Sequence, residues 1–80
     1  MEEFASEFKK IRGKLSFLEM SEKTGLSHAY LVHLEQQNRQ PSPSVLRKIS
    51  NAFNVSYIHL MIKAGYLTAD DLSEIKNNDN

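Results

Sequence analysis

The sequence contains three histidines, and their spacing does not suit a metal site. His28 and His33 are five positions apart, so on a helix they point about 140° away from each other. His59 lies on another segment without an evident carboxylate partner. Because the 80-residue chain has no cysteine, thiolate ligands, disulfides and cysteine nucleophiles are excluded. We therefore predict no metal, and we interpret His28 and His33 as polar surface side chains that can exchange hydrogen bonds with a partner.

Catalytic chemistry has no support in the residue pattern. Each conspicuous serine precedes the expected start of a helix, where its hydroxyl caps backbone N–H groups. The three glycines, at positions 13, 25 and 65, are scattered and form no phosphate-binding loop. We predict that the protein is not an enzyme, that it has no catalytic residues and no cofactor, and that it acts by binding.

Basic residues are concentrated in the middle of the chain. Residues 4–66 contain nine lysines and arginines but only four acidic residues, a formal charge of +5, whereas the whole chain is neutral. Six further acidic residues lie at the two ends, opposed there only by Lys76. A basic middle fits the binding of a polyanion. A solvated surface with a chance bias at the ends accounts for the same pattern, so charge alone leaves both interpretations open.

Length and hydropathy predict one small domain outside the membrane. A chain of this size is too short for two independent cores. No apolar run approaches the ~18 residues of a membrane span, and the acidic start is unlike a signal peptide. With no cysteine to oxidise, we expect a cytoplasmic protein.

Capping residues divide the chain into helices. Serine or threonine before each apolar run predicts a helix start, and glycine or asparagine after it predicts the end. The predicted helices cover residues 3–12, 17–24, 28–36, 43–53 and 57–64, with a short sixth turn from Thr68 and a frayed end at 76–80. We therefore predict an all-α fold, with a domain at 1–66 and an acidic tail at 67–80 that is partly disordered or a short helix.

The most informative unit is residues 16–36, two capped helices joined by a glycine turn. A turn as tight as residues 24–27 forces the helices to cross steeply, with Leu26 and Leu31 filling the angle between them. Ser21 is small enough to lie where the helices cross. Such a corner pushes the second helix outward, so that its exposed side can enter a major groove of DNA.

The motifs of this chain resemble those of the lambda-repressor-like, or Xre-family, helix-turn-helix regulators over about residues 4–66. The motifs that carry the resemblance are Phe8-Lys9-Lys10-Ile11-Arg12, Glu22-Lys23-Thr24-Gly25-Leu26-Ser27, Tyr30-Leu31, Leu34-Glu35, Arg39-Gln40-Pro41-Ser42-Pro43, Leu46-Arg47-Lys48-Ile49, Asn54-Val55-Ser56 and Ala64-Gly65-Tyr66. The resemblance implies a five-helix DNA-binding domain of prokaryotic or phage origin, usually a homodimer on a two-fold operator.

The resemblance also implies roles for individual residues. The third helix becomes the recognition helix, and its outward side chains are expected to face bases: Ser27, His28, Ala29, Val32 and His33. Other positions are similar to groups that touch phosphate, or lie at the start of the fourth helix: Tyr30, Asn38, Arg39, Ser42 and Ser44. Arg12 and Glu35 are expected to form a structural ion pair between the first and third helices.

The chain departs from the family pattern where the second helix begins. Family members commonly have a polar residue there that reaches the DNA backbone, whereas this chain has Phe17 and Leu18, and the outward side of the third helix has no arginine or lysine. Gln37 stands where a glycine is frequent. Phe17 and Leu18 either pack on the stems of Lys14 or Lys23 or form a docking patch for a protein partner.

The fifth helix carries more apolar residues than a core requires. Ile58 and Ile62 form an i, i+4 pair without an evident internal role. They are expected to form a dimer seam, unless Leu67, Leu72 and Ile75 of the tail fold over them.

The sequence thus favours a sequence-specific regulator, a dimeric repressor that binds double-stranded DNA. The alternative is a protein-interaction module on the same fold, which modulates another regulator or the transcription machinery. Phe17, Leu18 and Val32 favour the alternative, whereas the basic middle and Arg39 favour DNA binding.

Overall fold

In the described part of this computed structural model, all regular secondary structure is α-helical. The backbone is described for residues 2–36 and 39–78, and the side chains for 3–36 and 39–74. Its helices are α1 (Glu2–Arg12), α2 (Phe17–Thr24), α3 (His28–Gln36), α4 (Pro43–Phe53), α5 (Tyr57–Lys63) and α6 (Ala69–Asn78). The predicted fold class is confirmed, and the helix limits agree closely with the capping pattern.

One apolar core joins α1 to α5. Phe4 and Phe8 of α1 are fully buried and stack with their ring centroids 5.9 Å apart. The other members of the core come from the next four helices and their connections: Met20, Leu26, Leu31, Leu34, Leu46, Ile49, Leu60 and Ala64. None of the described side chains of α6, at residues 69–74, is buried, so this part of the helix adds no buried side chain to the core.

Helix α2 begins at a complete capping box. Ser16 accepts a hydrogen bond from the Glu19 N–H, and the Glu19 carboxylate accepts one from the Ser16 N–H at 2.9 Å. The hydrogen bond from the Ser16 N–H is the main cause of a lowered Glu19 pKa, and the hydrogen bond with the Ser16 side chain is the second. Both hydrogen bonds favour the charged carboxylate. The start of α2 is therefore determined by local chemistry.

The corner between α2 and α3 depends on a left-handed residue. Gly25 has φ 76° and ψ 8°, and its N–H donates to the Ser21 carbonyl at 2.8 Å. The Ser21 hydroxyl donates to the Leu26 carbonyl at 2.6 Å, which closes the turn from the other side. Ser27 follows and accepts from the Tyr30 N–H at 3.2 Å, so α3 begins at once.

The corner between α4 and α5 repeats the same chemistry. Asn54 is left-handed with φ 55°, and its N–H donates to the Ser50 carbonyl. The Ser50 hydroxyl donates to the carbonyl of Val55, and Ser56 caps α5. Residues 21–27 and 50–56 therefore share one pattern: serine, three residues, a left-handed residue, an apolar residue and a capping serine.

Helix α6 is longer than the short turn that we predicted. It has ten residues, Ala69–Asn78, and includes the first three positions of the segment expected to be frayed. The Thr68 N–H donates to the Asp71 carboxylate at 2.8 Å, and the Asp71 N–H donates to the Thr68 hydroxyl at 3.1 Å. This reciprocal cap, with acidic residues in the first turn, favours the helix. Over the described residues, no helix has the length and apolar character needed to cross a membrane.

We predict that Gly25→Ala lowers the free energy of unfolding by about 1 kcal/mol, because a side chain at positive φ is strained. A Cβ at Gly25 would meet nothing within 4 Å, so the loss measures the backbone conformation alone. Thermal unfolding should show a Tm roughly 4–8 °C lower. Gly25→Asn is the matched control and should lose less, since asparagine tolerates this conformation as Asn54 does. Equal stability of the alanine variant and the parent would contradict a left-handed turn at this position.

Candidate nucleic-acid interface

Helix α3 has one buried side and one side that reaches solvent. Leu31 and Leu34 are fully buried in the core. The five side chains predicted to face bases lie on the other side. Of these, three are exposed and two are half-buried: Ser27, His28 and Ala29, then Val32 and His33.

An ion pair fixes the back of α3 to α1. Arg12 Nε and Nη2 donate to the two carboxylate oxygens of Glu35, each at 2.9 Å. Arg12 Nη1 also donates to the Leu15 carbonyl at 2.9 Å. The two side chains are 21% and 7% exposed, so the pair is largely removed from water. The structure thus brings Arg12 and Glu35 together in the bidentate geometry that holds a guanidinium most rigidly.

Phe17, for which the sequence left packing and a docking patch both open, packs against the core. Its ring is half-buried against the core, and the Arg12 guanidinium lies 4.4 Å from the ring centroid. The inward positions of α2 are Phe17, Met20 and Thr24. Leu18, which follows Phe17 along the helix, points outward and is 63% exposed. Phe17 therefore packs on the core and on Arg12, a partner that residue spacing did not indicate.

Of the predicted phosphate contacts, Tyr30 lies on α3 and the others follow it along the chain. Tyr30 is half-buried, and burial raises the pKa of its phenol while the nearby Arg39 charge opposes that rise. The phenol therefore keeps its proton at neutral pH and can donate to a phosphate. Arg39 is exposed. Asn38, predicted as a further phosphate contact, and Gln37 lie outside the described residues.

The start of α4 offers hydroxyl and amide donors. Ser42 caps the helix by accepting from the Val45 N–H, and its hydroxyl lies 3.1 Å from that of Ser44. The hydrogen bond between the two hydroxyls needs the proton of only one serine, so the hydroxyl proton of the other serine can be donated to another acceptor. Pro43 has no N–H, and helix geometry leaves the Ser44 N–H without an acceptor inside α4.

The segment that leads into α4 is fastened to the end of α5. The Tyr66 hydroxyl donates to the Pro41 carbonyl at 2.7 Å, and the Gln40 side-chain amide donates to the Ala64 carbonyl at 3.1 Å. Pro41 itself is fully buried. Residue spacing indicated no role for Gln40 or Tyr66 beyond their place in the family-like motifs. These two hydrogen bonds hold the segment that contains Arg39 and Ser42 against the end of α5.

Two further contacts could not be found from spacing. His59 Nε2 lies 3.1 Å from Glu7 Oε2, which joins α5 to α1, so this histidine does have a carboxylate partner. The Arg47 guanidinium lies 3.7 Å from the centroid of the Tyr57 ring, which joins α4 to α5. In the part of the chain that the structure describes, no cluster of three His, Asp or Glu side chains could hold a metal ion.

Helix α5 leaves part of its apolar surface uncovered. Ile58 is 42% exposed, and Ile62 is half-buried. Leu67 and Leu72, considered as a cover for them, are also half-buried, and the side chain of Ile75 lies outside the described residues.

The short corner of α2 and α3 at Gly25, with one side of α3 turned toward solvent, defines a helix-turn-helix domain. Residues 8–60 match the profile of the helix-turn-helix family HTH_3, and the chain belongs to this family of Xre, or lambda-repressor-like, domains. The resemblance inferred from the motifs is thereby confirmed.

Two relatives from Mycobacterium tuberculosis, of strains CDC 1551 and H37Rv, are described as uncharacterized HTH-type transcriptional regulators. Each is 33% identical over 63 residues, which cover 79% of this chain and 45% of the relative. The chain thus spans less than half of the length of the curated relatives it matches. No solved structure matches this chain.

We predict that Glu35→Gln lowers the free energy of unfolding by about 2 kcal/mol, because it leaves the Arg12 charge poorly paired in a partly buried place. Glu22→Gln, an exposed position on α2, is the control and should change stability by less than about 0.5 kcal/mol. Chemical denaturation measures both. In a cycle with Arg12→Met, the double variant should lose less than the sum of the single losses. If Glu35→Gln is as mild as its control, the ion pair does not hold α3.

Proposed function

We propose that this chain is the DNA-binding part of a bacterial transcriptional regulator, in which α3 enters the major groove. The observation that supports this most directly is the outward side of α3, which follows the Gly25 corner and is held from its inner side by the Arg12–Glu35 ion pair. Family membership and the printed description of the relatives agree with it. The protein would act in the cytoplasm, where the DNA lies.

The polar groups of this surface divide into two tasks. His28 and His33 are proposed to exchange hydrogen bonds with base edges, and Ala29 and Val32 to contact thymine methyl groups. Tyr30, with the exposed positive charge of Arg39 and the donors of Ser42 and Ser44, is proposed to bind phosphates on the flanks. Since α3 carries no arginine or lysine on this side, the phosphate contacts would supply most of the affinity, and the base contacts of α3 would supply the sequence preference.

We further propose that the regulator is a homodimeric repressor. Ile58 and Ile62 on α5 provide the apolar strip for a two-fold seam. Two copies would place their α3 helices about 34 Å apart, one turn of DNA, and would block a promoter. The main alternative is a domain that binds a protein, and the exposure of Leu18 is the observation that favours it.

Duplex DNA binding in a salt series separates the two functions. For a DNA regulator the logarithm of affinity should fall linearly with the logarithm of salt concentration, with a slope of about −0.9 for each phosphate neutralised. Arg39→Ala should weaken binding to every duplex and reduce that slope by about 1. His33→Ala should instead relax sequence preference. No detectable binding to any duplex at low salt would favour the protein-binding alternative, and equal losses on all sequences from both variants would refute the base-facing role of His33.

The dimer is tested by changing its proposed seam. Ile58→Asp should reduce the mass measured by analytical ultracentrifugation to that of a monomer, because an aspartate would be desolvated at the seam. Leu18→Asp is the matched control, an exposed leucine on a different helix, and should leave the mass unchanged. A dimer that persists in Ile58→Asp, or that is lost in Leu18→Asp, would show that the seam lies elsewhere.

A further inference from the structure

We propose that Phe17 is a positioning residue: its ring fixes the imidazole of His28, and His28 thereby selects one base pair at the start of α3. This inference rests on the proposed function, because it concerns how that function achieves sequence choice. Phe17 itself has no polar group with which to bind a phosphate or a base. Its contribution would be made entirely through the side chain it touches.

The two rings meet in an edge-to-face arrangement. Their centroids are 5.7 Å apart and their planes are inclined at 75°, which is a geometry that aromatic pairs favour. Phe17 is the first residue of α2 and His28 the first residue of α3. The contact therefore joins the N-terminal ends of the two helices of the helix-turn-helix.

The Phe17 ring is itself held firmly. It packs against the core on one side, and the Arg12 guanidinium lies 4.4 Å from its centroid. Arg12 is in turn fixed by two hydrogen bonds to Glu35, each of 2.9 Å. A chain of direct contacts thus runs from Glu35 on the inner side of α3, through Arg12 and Phe17, to His28. Because each member is held by the one before it, the ion pair that orients α3 also orients a side chain at its first position.

His28 is placed where such orientation has consequences for recognition. It is exposed and belongs to the first turn of α3, and N-terminal residues of a recognition helix are those that contact base edges. Its ring nitrogens can donate to the acceptors that purine N7, guanine O6 or thymine O4 present in the major groove. A side chain already held in one orientation loses less conformational entropy on binding than a freely rotating one. The fixed imidazole therefore favours a base pair with an acceptor in one position.

His33 provides an internal comparison on the same helix. It too lies on the outward side of α3, but the described aromatic side chains form no ring contact with it. Loss of the Phe17 ring should therefore affect recognition by His28 and leave recognition by His33 unchanged.

The test is selection of bound duplexes from a random pool, followed by affinity measurements on single base-pair changes. Replacement of His28 by alanine should flatten the preference at one base pair. Phe17→Leu, which keeps an apolar side chain, should reduce the preference at that same base pair about fivefold, while affinity for nonspecific duplex changes less than twofold. Phe17→Tyr keeps the ring and should retain the preference. Leu18→Ala is the neighbouring control and should have no effect on it.

A merely structural role of Phe17 predicts a different result. In that case Phe17→Leu would weaken binding to all duplexes alike, or would alter a base pair other than the one affected by His28→Ala, and the proposal would be overturned. Phe17→Met supplies a second ring-free variant should the leucine variant not fold. Without DNA, the carbon-bound imidazole protons of His28 should shift in the NMR spectrum of the Phe17 variants that lack the ring, and unchanged resonances would also overturn the proposal.

The outcomes separate this inference from the function on which it rests. A parent protein that binds no duplex would overturn both. A parent protein with a sharp sequence preference that Phe17→Leu leaves intact would overturn only the positioning role of Phe17.

Discussion

The left-handed turn at Gly25 is the constraint on which the rest of the surface depends. A right-handed residue there would continue α2 and carry α3 in a different direction. With φ at 76°, the chain reverses within a few residues, and the Ser21 hydroxyl closes the turn on the Leu26 carbonyl. Leu26 is thereby directed into the core, and Ser27 is in place to start α3. One backbone conformation thus sets both the crossing of two helices and the first residue of the candidate recognition helix.

The same solution occurs at the corner of α4 and α5, where asparagine replaces glycine as the left-handed residue. This second corner directs α5 back toward α1, where His59 meets Glu7. The end of α5 then returns to the segment before α4, through Tyr66 and Pro41. The two corners therefore position different parts of one surface: the first exposes α3, and the second supports the segment with the candidate phosphate contacts.

The arginines of this chain have unlike environments, and the formal charge does not distinguish them. Arg12 is paired with Glu35 and covered by the Phe17 ring, and Arg47 lies over Tyr57. Arg39 is exposed beside the end of α3. A guanidinium already bonded to a carboxylate contributes little field to a distant phosphate, because the opposite charge lies next to it. The Arg12–Glu35 pair thus removes one of the nine basic residues of 4–66 from those available to a polyanion, although the formal excess of +5 already includes Glu35.

The sequence by itself determined, to within one residue, where α1 to α5 begin and end, and from its motifs the family. A cap is local: the hydroxyls of Ser16, Ser42 and Ser56 each bond to an N–H three residues ahead, whatever the rest of the chain does. Only the tertiary structure decided what Phe17 and Tyr66 touch. Their partners are brought close by the angles between packed helices, and residue spacing does not encode those angles. The sequence therefore left open whether the apolar residue at the start of α2 packs or binds a partner, and the tertiary structure places it between Arg12 of α1 and His28 of α3.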